Sequence, residues 1–120
     1  MSHIALVDDD DSVRKALARL LSAHGMEVRT YSSPGEFLDS LADGTPTCVV
    51  VDFHMPDRTG ADLQRELLRR GINVPTIVLT ARDSAPQREE CRSLGAAAYL
   101  TKPVIPHDLI GAINSAIPSR

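Results

Sequence analysis

The sequence predicts a doubly wound α/β domain in which five parallel strands alternate with five helices. Two observations carry this prediction. Short apolar runs recur five times along the 120 residues, and a segment with helical spacing or helix-end signals follows each run. Parallel strands joined by helices need right-handed crossovers, so we expect helices on both faces and strands buried on both sides. The length is that of one domain, assigned here to residues 1–120.

The first strand and helix are predicted at 4–7 and 11–24. The strand is a purely apolar run that ends abruptly in four consecutive aspartates. The helix places its leucines on one face and stops at Gly25, a residue that favours helix ends. Among the aspartates, Asp11 is our predicted helix cap.

The second strand, 26–31, alternates apolar and polar residues. A helix start follows it: Ser33 is a capping residue, Pro34 suits the first helical position, and Glu36 is placed to complete a capping box. This helix is predicted to end near Gly44.

The remaining strands and helices are recognised by β-branched or apolar runs and by leucine or isoleucine at helical spacing. The fourth helix is the most polar. The three pairs are predicted at 48–51 with 60–70, 74–79 with 83–94, and 96–100 with 106–117.

Composition excludes several classes of function. The net charge is −3 and there is no Lys/Arg-rich run, so we expect no direct nucleic-acid binding. No apolar stretch approaches the roughly 20 residues that span a membrane, and the N-terminus lacks a signal-peptide pattern, so the expected location is the cytoplasm. Cys48 and Cys91 lack zinc or redox spacing and are predicted to be free thiols.

Polar residues interrupt the pattern at the carboxyl ends of strands. Asp8 and its acidic neighbours follow the first strand, Asp52 the third, Thr80 the fourth and Lys102 the fifth. If the strand order is 2-1-3-4-5, these groups meet at one edge of the sheet, where ligands of such folds bind.

These residue types suit phosphoryl transfer. Carboxylates at about 4 Å repel by roughly 1 to 4 kcal/mol, depending on exposure, so an acidic cleft favours a hard cation such as Mg²⁺. Lys102 supplies a positive charge and Thr80 a hydroxyl donor, while Asp52 is a candidate nucleophile for an aspartyl-phosphate. Each feature alone has a plainer interpretation, and an Asp run in particular is often a solvated helix start.

The four segments Val7–Asp10, Val51–Pro56, Leu79–Ala81 and Leu100–Pro103 resemble the signature segments of response-regulator receiver domains of bacterial two-component systems. The resemblance covers essentially the whole chain. It implies a flavodoxin-like (βα)5 fold with five parallel strands in the order 2-1-3-4-5, and a cis peptide bond between Lys102 and Pro103.

The resemblance also implies a role for each residue of the site. A Mg²⁺ ion, or Mn²⁺ in its place, would be held by carboxylates and one backbone carbonyl, whereas Asp10 and Asp11 match no metal position. The implied assignments are Asp8 and Asp9 as the acidic pair, Asp52 as phosphoacceptor and metal ligand, the carbonyl of His54 as a further ligand, Thr80 as the switch hydroxyl, Lys102 as the phosphate-binding lysine and Tyr99 as the rotating aromatic.

The implied function is signalling rather than enzymatic turnover. The phosphoryl group would come from the phosphohistidine of a histidine kinase or phosphotransfer protein. The readout would be the face made by the fourth helix, fifth strand and fifth helix, with a phosphorylation-dependent homodimer as one outcome. The chain resembles receivers that precede a LuxR-type helix-turn-helix, which implies transcription regulation through an output domain that residues 1–120 do not contain.

Three other interpretations remain open on the residues alone. A phosphatase of the haloacid-dehalogenase type would need a second aspartate two residues after its nucleophile, a spacing that Asp8 and Asp10 satisfy but Asp52 does not. A receiver-like module could act without phosphorylation. A flavin-binding protein would need a phosphate-cradling loop where the acidic run lies. Arg82 either pairs with a phosphoryl group or is a solvated charge.

Overall fold

The computed structural model describes residues 2–117 and confirms the alternation of strands and helices. The strands are β1 (Ile4–Val7), β2 (Val28–Tyr31), β3 (Cys48–Asp52), β4 (Thr76–Thr80) and β5 (Ala98–Thr101). The helices are α1 (Asp11–Ala23), α2 (Pro34–Ser40), α3 (Gly60–Arg69), α4 (Ala85–Ser93) and α5 (Pro106–Ala116). The second helix is shorter than predicted and continues as a 3₁₀ turn at Leu41–Asp43.

The five strands form one parallel sheet in the order β2-β1-β3-β4-β5, which confirms the flavodoxin-like (βα)5 fold. β3 is therefore the central strand, with β1 on one side and β4 on the other. The register places Val7 opposite Val51, Asp52 opposite Leu79, and Thr80 opposite Thr101. The carboxyl ends of these four strands consequently lie next to one another.

Two apolar layers cover the sheet. Leucines of α1 and α5 pack with Leu6 and Val50 on one face, and side chains of α2, α3 and α4 pack with Val7 and Val51 on the other. β1, β3 and β4 are buried along their whole length, as expected. For β2 and β5 the expectation was wrong: both are partly exposed, because an edge strand has a neighbour on one side only.

The caps of α1 and α2 differ from the sequence prediction in their details. Asp10, not Asp11, caps α1: its carboxylate accepts a hydrogen bond from the backbone N–H of Val13 at 3.0 Å. α1 begins at Asp11, and capping requires extended backbone at the residue before it. Ser33 caps α2 as predicted. The Glu36 carboxylate, however, accepts from the N–H of Ser32 rather than closing a capping box.

Three smaller expectations have clear outcomes. The peptide bond between Lys102 and Pro103 is cis. Cys48 and Cys91 are free and buried, and burial raises the pKa of Cys48 to about 12 and that of Cys91 to about 11. Between residues 2 and 117, no helix is long and apolar enough to cross a membrane.

Candidate functional site

The acidic pocket, formed by Asp8, Asp9, Asp52 and Lys102, lies at the carboxyl edge of the sheet. Each aspartate offers one carboxylate oxygen, and these three oxygens lie within 4.8 Å of one another. Asp8 is 1% exposed and Asp52 is 7% exposed, whereas Asp9 faces solvent. The sequence-predicted convergence of the first, third and fifth strand ends is present in the structure.

Lys102 reaches the carboxylates from the end of β5. Its Nζ lies 2.9 Å from Oδ1 of Asp52 and 3.1 Å from Oδ2 of Asp8. One cation thus faces three carboxylates, which leaves an excess of negative charge in a partly buried cleft. Such an excess is unfavourable unless a further cation neutralises it.

Burial and charge shift the pKa values of the pair. Burial raises the pKa of the Asp52 carboxyl; the hydrogen bond from Lys102 opposes this rise without cancelling it, and the nearby Asp8 and Asp9 charges add to it. Burial lowers the pKa of Lys102, but hydrogen bonds to Asp52 and Asp8 outweigh burial and raise it overall. Lys102 is therefore cationic at neutral pH, whereas burial makes the ionised form of Asp52 less favourable in the folded protein than in water.

Backbone contacts fix the aspartate at the end of β1. Oδ1 of Asp8 accepts from the N–H of Asp10 at 2.9 Å, and the guanidinium of Arg14 donates to the Asp8 carbonyl at 2.8 Å. Arg14 is a positioning residue that sequence reasoning missed, although its place one turn into α1 is a usable signal.

The start of α3 packs closely against the backbone of Asp52 and Phe53. A Cβ at Gly60 would lie 3.3 Å from the Cα of Phe53 and 3.4 Å from the carbonyl oxygen of Asp52, so the close approach favours glycine. Thr59 and Asp62 close a capping box at this helix end, which anchors the loop that follows Asp52.

The donor set fits a magnesium ion. Mg²⁺ prefers oxygen ligands and is commonly bound through one or two carboxylates with retained waters. Three carboxylate oxygens within mutual reach, opposed by a single lysine, match that preference in both chemistry and charge. His54 lies two residues beyond Asp52, and its ring packs edge-to-face with the Phe53 ring at a centroid distance of 4.9 Å. The contribution of the His54 carbonyl stays a prediction.

A second group of polar residues, the switch network, lies beside the acidic pocket and consists of Thr80, Asp83, Gln87 and Tyr99. Thr80 is fully buried at the end of β4. Nε2 of Gln87 donates to Oγ1 of Thr80 at 3.1 Å and to the hydroxyl of Tyr99 at 2.8 Å. The Tyr99 hydroxyl donates to Oδ1 of Asp83 at 3.0 Å. The two predicted switch residues are thus joined through α4.

Sequence reasoning found the acidic pocket but missed half of the switch network. Gln87 and Asp83 lie on or next to the polar helix α4, where no periodicity distinguishes them. Arg82 is exposed and its side chain makes no ion pair with the residues between 2 and 117. Asp10, the acid that a dehalogenase-type phosphatase would use beside Asp8, caps α1 in this structure.

The fold and the site define a class: a doubly wound α/β protein with a carboxylate pocket, a lysine and a buried hydroxyl at the carboxyl edge of its central strands. The family model described as "Response regulator receiver domain" matches residues 4–114. The chain belongs to this family, whose members are signalling switches that interact with histidine kinases or phosphotransfer proteins.

Relatives and solved structures agree with this assignment. The chain is 36% identical over 114 residues to the transcriptional regulatory protein FixJ of Azorhizobium caulinodans, covering 95% of this chain and 54% of FixJ. It is 38% identical over 116 residues to the transcriptional regulatory protein TdiR of Thauera aromatica, covering 97% of this chain and 51% of TdiR. The chain therefore spans about half the length of these curated relatives.

Two crystal structures show the same fold. The structure of FixJ-N superposes with a TM-score of 0.90 at 34% identity, covering 97% of this chain and 93% of that one. The chemotaxis protein CheY4 of Vibrio cholerae superposes with a TM-score of 0.89 at 25% identity, covering 98% of this chain and 99% of that one.

Proposed function

We propose that this chain is a phosphoacceptor whose Asp52 takes the phosphoryl group from a phosphohistidine of a histidine kinase or phosphotransfer protein. The observation that carries the proposal is the position of Asp52: a 7%-exposed carboxylate on the central strand, 2.9 Å from Lys102 and within reach of two further carboxylates. β3 lies between the strand that bears Asp8 and the strand that bears Thr80.

The transfer is a displacement at phosphorus. One carboxylate oxygen of Asp52 forms the new P–O bond while the P–N bond of the phosphohistidine breaks, and the departing imidazole nitrogen takes up a proton. A Mg²⁺ or Mn²⁺ ion would be held by Asp8, Asp9, Asp52 and the His54 carbonyl, and it would neutralise part of the phosphoryl charge. Lys102 supplies a positive charge from the β5 side, at the Asp52 oxygen that it already contacts.

Phosphorylation changes the charge and hydrogen-bonding demands of the cleft. The product carries additional negative charge and strong acceptor oxygens. The Thr80 hydroxyl, buried at the adjacent strand end, is the donor positioned to meet them. We propose that Thr80 turns toward the phosphoryl group and that Tyr99 turns inward with it, as a shift between two populated states.

The proposed readout is the face formed by α4, β5 and α5. Tyr99 lies on β5 within this face and is half-buried. Ile105, just before α5, is 60% exposed, so this region offers one large apolar side chain that a partner chain would cover. A homodimer formed on phosphorylation is one such use. The names of FixJ and TdiR, which are transcriptional regulatory proteins, support a role in transcription regulation. We propose that this role is carried out through an output domain.

Phosphoryl labelling tests the acceptor assignment. Incubation with acetyl phosphate and MgCl₂ should add one hydroxylamine-labile phosphoryl group to the wild type, measured by intact-protein mass spectrometry, and none to Asp52→Ala. The matched control is Asp57→Ala, which removes an exposed carboxylate five positions away and should label normally. Equal labelling of the wild type and Asp52→Ala would refute the proposal.

A further inference from the structure

Gln87 contacts both residues of the proposed switch with a single nitrogen atom. Its Nε2 lies 3.1 Å from Oγ1 of Thr80, 2.8 Å from the Tyr99 hydroxyl and 3.2 Å from the carbonyl oxygen of Arg82. A backbone carbonyl only accepts hydrogen bonds, so the amide nitrogen, and not the amide oxygen, must face this cluster. We call these contacts the Gln87 bridge.

The Thr80 hydroxyl is fully engaged in this arrangement. It donates to the Arg82 carbonyl at 3.1 Å and accepts from the Arg82 N–H at 3.1 Å as well as from Gln87. A hydroxyl has one proton to donate, and here the Arg82 carbonyl takes it. Donation to a phosphoryl oxygen therefore requires the Thr80 hydroxyl to give up the Arg82 carbonyl, and a turn of the side chain toward the phosphoryl group also takes its oxygen away from the Gln87 amide.

The Tyr99 hydroxyl is engaged in the same way. It donates to Asp83 at 3.0 Å and accepts from Gln87 at 2.8 Å. Asp83 is itself paired with Arg88 at 2.7 Å, so the acceptor of the tyrosine proton is fixed in place. Within residues 2–117, Gln87 is the side chain whose hydrogen bonds join the hydroxyls of Thr80 and Tyr99.

The other end of α4 is anchored independently. Nε2 of the buried Gln64 on α3 donates to the Cys91 carbonyl at 3.1 Å, and Arg65 forms an ion pair with Glu90. Gln87 therefore extends its amide from a helix that α3 holds in place. A change at Thr80 is then taken up by the Gln87 side chain and the loop before α4, and not by loss of the helix.

We infer that Gln87 is a positioning residue that holds Thr80 and Tyr99 in the unphosphorylated arrangement and couples their movement. When Thr80 turns to a phosphoryl group, the Gln87 amide loses one of the acceptors that fix its orientation, so the amide can turn and its hydrogen bond to Tyr99 is no longer held in place. This inference rests on the proposed function of Asp52 and names the residue through which the site reaches β5. Removing the amide should favour the activated arrangement before any phosphoryl group is present.

The test replaces Gln87 with Leu, which keeps the side-chain bulk but has no donor, and with Ala as a second variant. The control is Glu89→Gln, which alters an exposed residue of the same helix whose side chain pairs only with Arg92 among the described residues. Circular dichroism confirms folding. The chain has two tyrosines and no tryptophan, so ¹³C-tyrosine spectra report Tyr99 directly, with Tyr31 as internal reference.

Two readouts are expected to change together. In the absence of any phosphoryl analogue, the Tyr99 signals of Gln87→Leu and Gln87→Ala should move toward their position in the beryllofluoride-bound wild type. In the presence of Mg²⁺, beryllofluoride should bind these variants about fivefold more tightly, which corresponds to one net hydrogen bond lost from the resting arrangement. Glu89→Gln should match the wild type in both.

The outcomes separate this inference from the proposed function. If wild type and variants bind beryllofluoride equally, or if the Tyr99 signals stay unmoved in the variants, Gln87 does not couple the two residues while Asp52 remains the acceptor. If the wild type binds no beryllofluoride and takes no label from acetyl phosphate, the proposed function fails and the inference falls with it.

Discussion

The acidic pocket and the switch network lie side by side at one edge of the sheet, but different forces hold them. In the acidic pocket, Lys102 pairs with Asp8 and Asp52 at 3.1 and 2.9 Å in a partly buried cleft. In the switch network, neutral amide and hydroxyl groups exchange hydrogen bonds, and Asp83 is its one charged member. Removing one partner of a buried ion pair costs about 3 to 5 kcal/mol, whereas a neutral hydrogen bond contributes about 1 kcal/mol net.

Under the proposed function, this difference suits the acidic pocket to phosphoryl transfer and the switch network to signalling. A phosphoryl group needs a fixed acceptor and a fixed cation, and the ion pairs of Lys102 resist displacement. A switch needs two arrangements of nearly equal free energy. The bonds of Thr80 and Tyr99 can be exchanged for others of similar strength, so a modest change in charge next to them shifts the balance.

The largest expected effect is on the acidic pocket. Replacing Lys102 with Met should lower the free energy of unfolding by about 3 kcal/mol at pH 7 in EDTA, measured by urea titration, because two buried carboxylates lose the cation that pairs with both of them. The pKa of Lys102 is raised in the folded state, so its contribution is complete below the ordinary lysine pKa and disappears as pH rises through the raised value. The exposed Lys15→Met is the control.

Asp52→Asn should act with the opposite sign. Its pKa is raised on folding, mainly by burial, so the stability linked to its protonation is present at acid pH and lost as pH rises through the raised pKa. At pH 7 the ionised carboxylate is a cost, and the amide removes it. In the Lys102→Met background, Asp52→Asn should recover part of the loss. A destabilising Asp52→Asn in EDTA would contradict the charge excess described here.

Mg²⁺ should add stability through the same pocket. A ligand at 100 times its dissociation constant stabilises the folded state by about 2.7 kcal/mol. We expect a rise in melting temperature when MgCl₂ replaces EDTA at matched ionic strength, measured by calorimetry. Asp8→Asn should abolish this gain because the substitution removes one carboxylate of the cluster.

The adjacent Asp10 gives a matched control for that measurement. Asp10→Ala should lose about 1 kcal/mol of stability through the α1 cap and still show the full Mg²⁺ gain. Asp11→Ala should have a smaller effect than Asp10→Ala, because Asp11 is not the cap. If Asp10→Ala also abolished the Mg²⁺ gain, the cation would be held differently from the arrangement proposed.

The contrast between the two regions also sets what the sequence could reveal. Asp52 and Lys102 were predictable because Asp52 directly follows an apolar run and Lys102 follows another after Thr101. Parallel strands bring such ends together at one edge of the sheet. Gln87 was not, because it is one polar residue on a polar helix and its contacts depend on the path of the loop over 81–84. The choice of Asp10 over Asp11 as the α1 cap was not predictable either, because two adjacent aspartates at a helix start give no signal that separates them.

The smallest change is expected in the pKa of Tyr99, within the switch network. Burial and the Asp83 carboxylate raise the pKa of the Tyr99 phenol, while the Gln87 amide lowers it. Tyr99 stays neutral to higher pH in the folded state, so the stability linked to it is complete below the ordinary tyrosine pKa and declines as pH rises through the raised value. Asp83 accepts a hydrogen bond from the Tyr99 hydroxyl, and Gln87 donates one to it. Removing these two side chains should therefore shift the pKa of Tyr99 in opposite directions.

Tyrosinate absorbance measures these shifts in a Tyr31→Phe background, where Tyr99 is the only tyrosine and no tryptophan interferes. Asp83→Asn should lower the apparent pKa of Tyr99, since the acceptor that favours the protonated phenol loses its charge. Gln87→Leu should raise it, since the donor that favours the phenolate is gone. Arg88, which pairs with Asp83, is unchanged in both variants. Shifts of the same sign would mean that the two residues do not hold the Tyr99 hydroxyl between a donor and an acceptor. The hydrogen bonds described for the switch network would then be wrong.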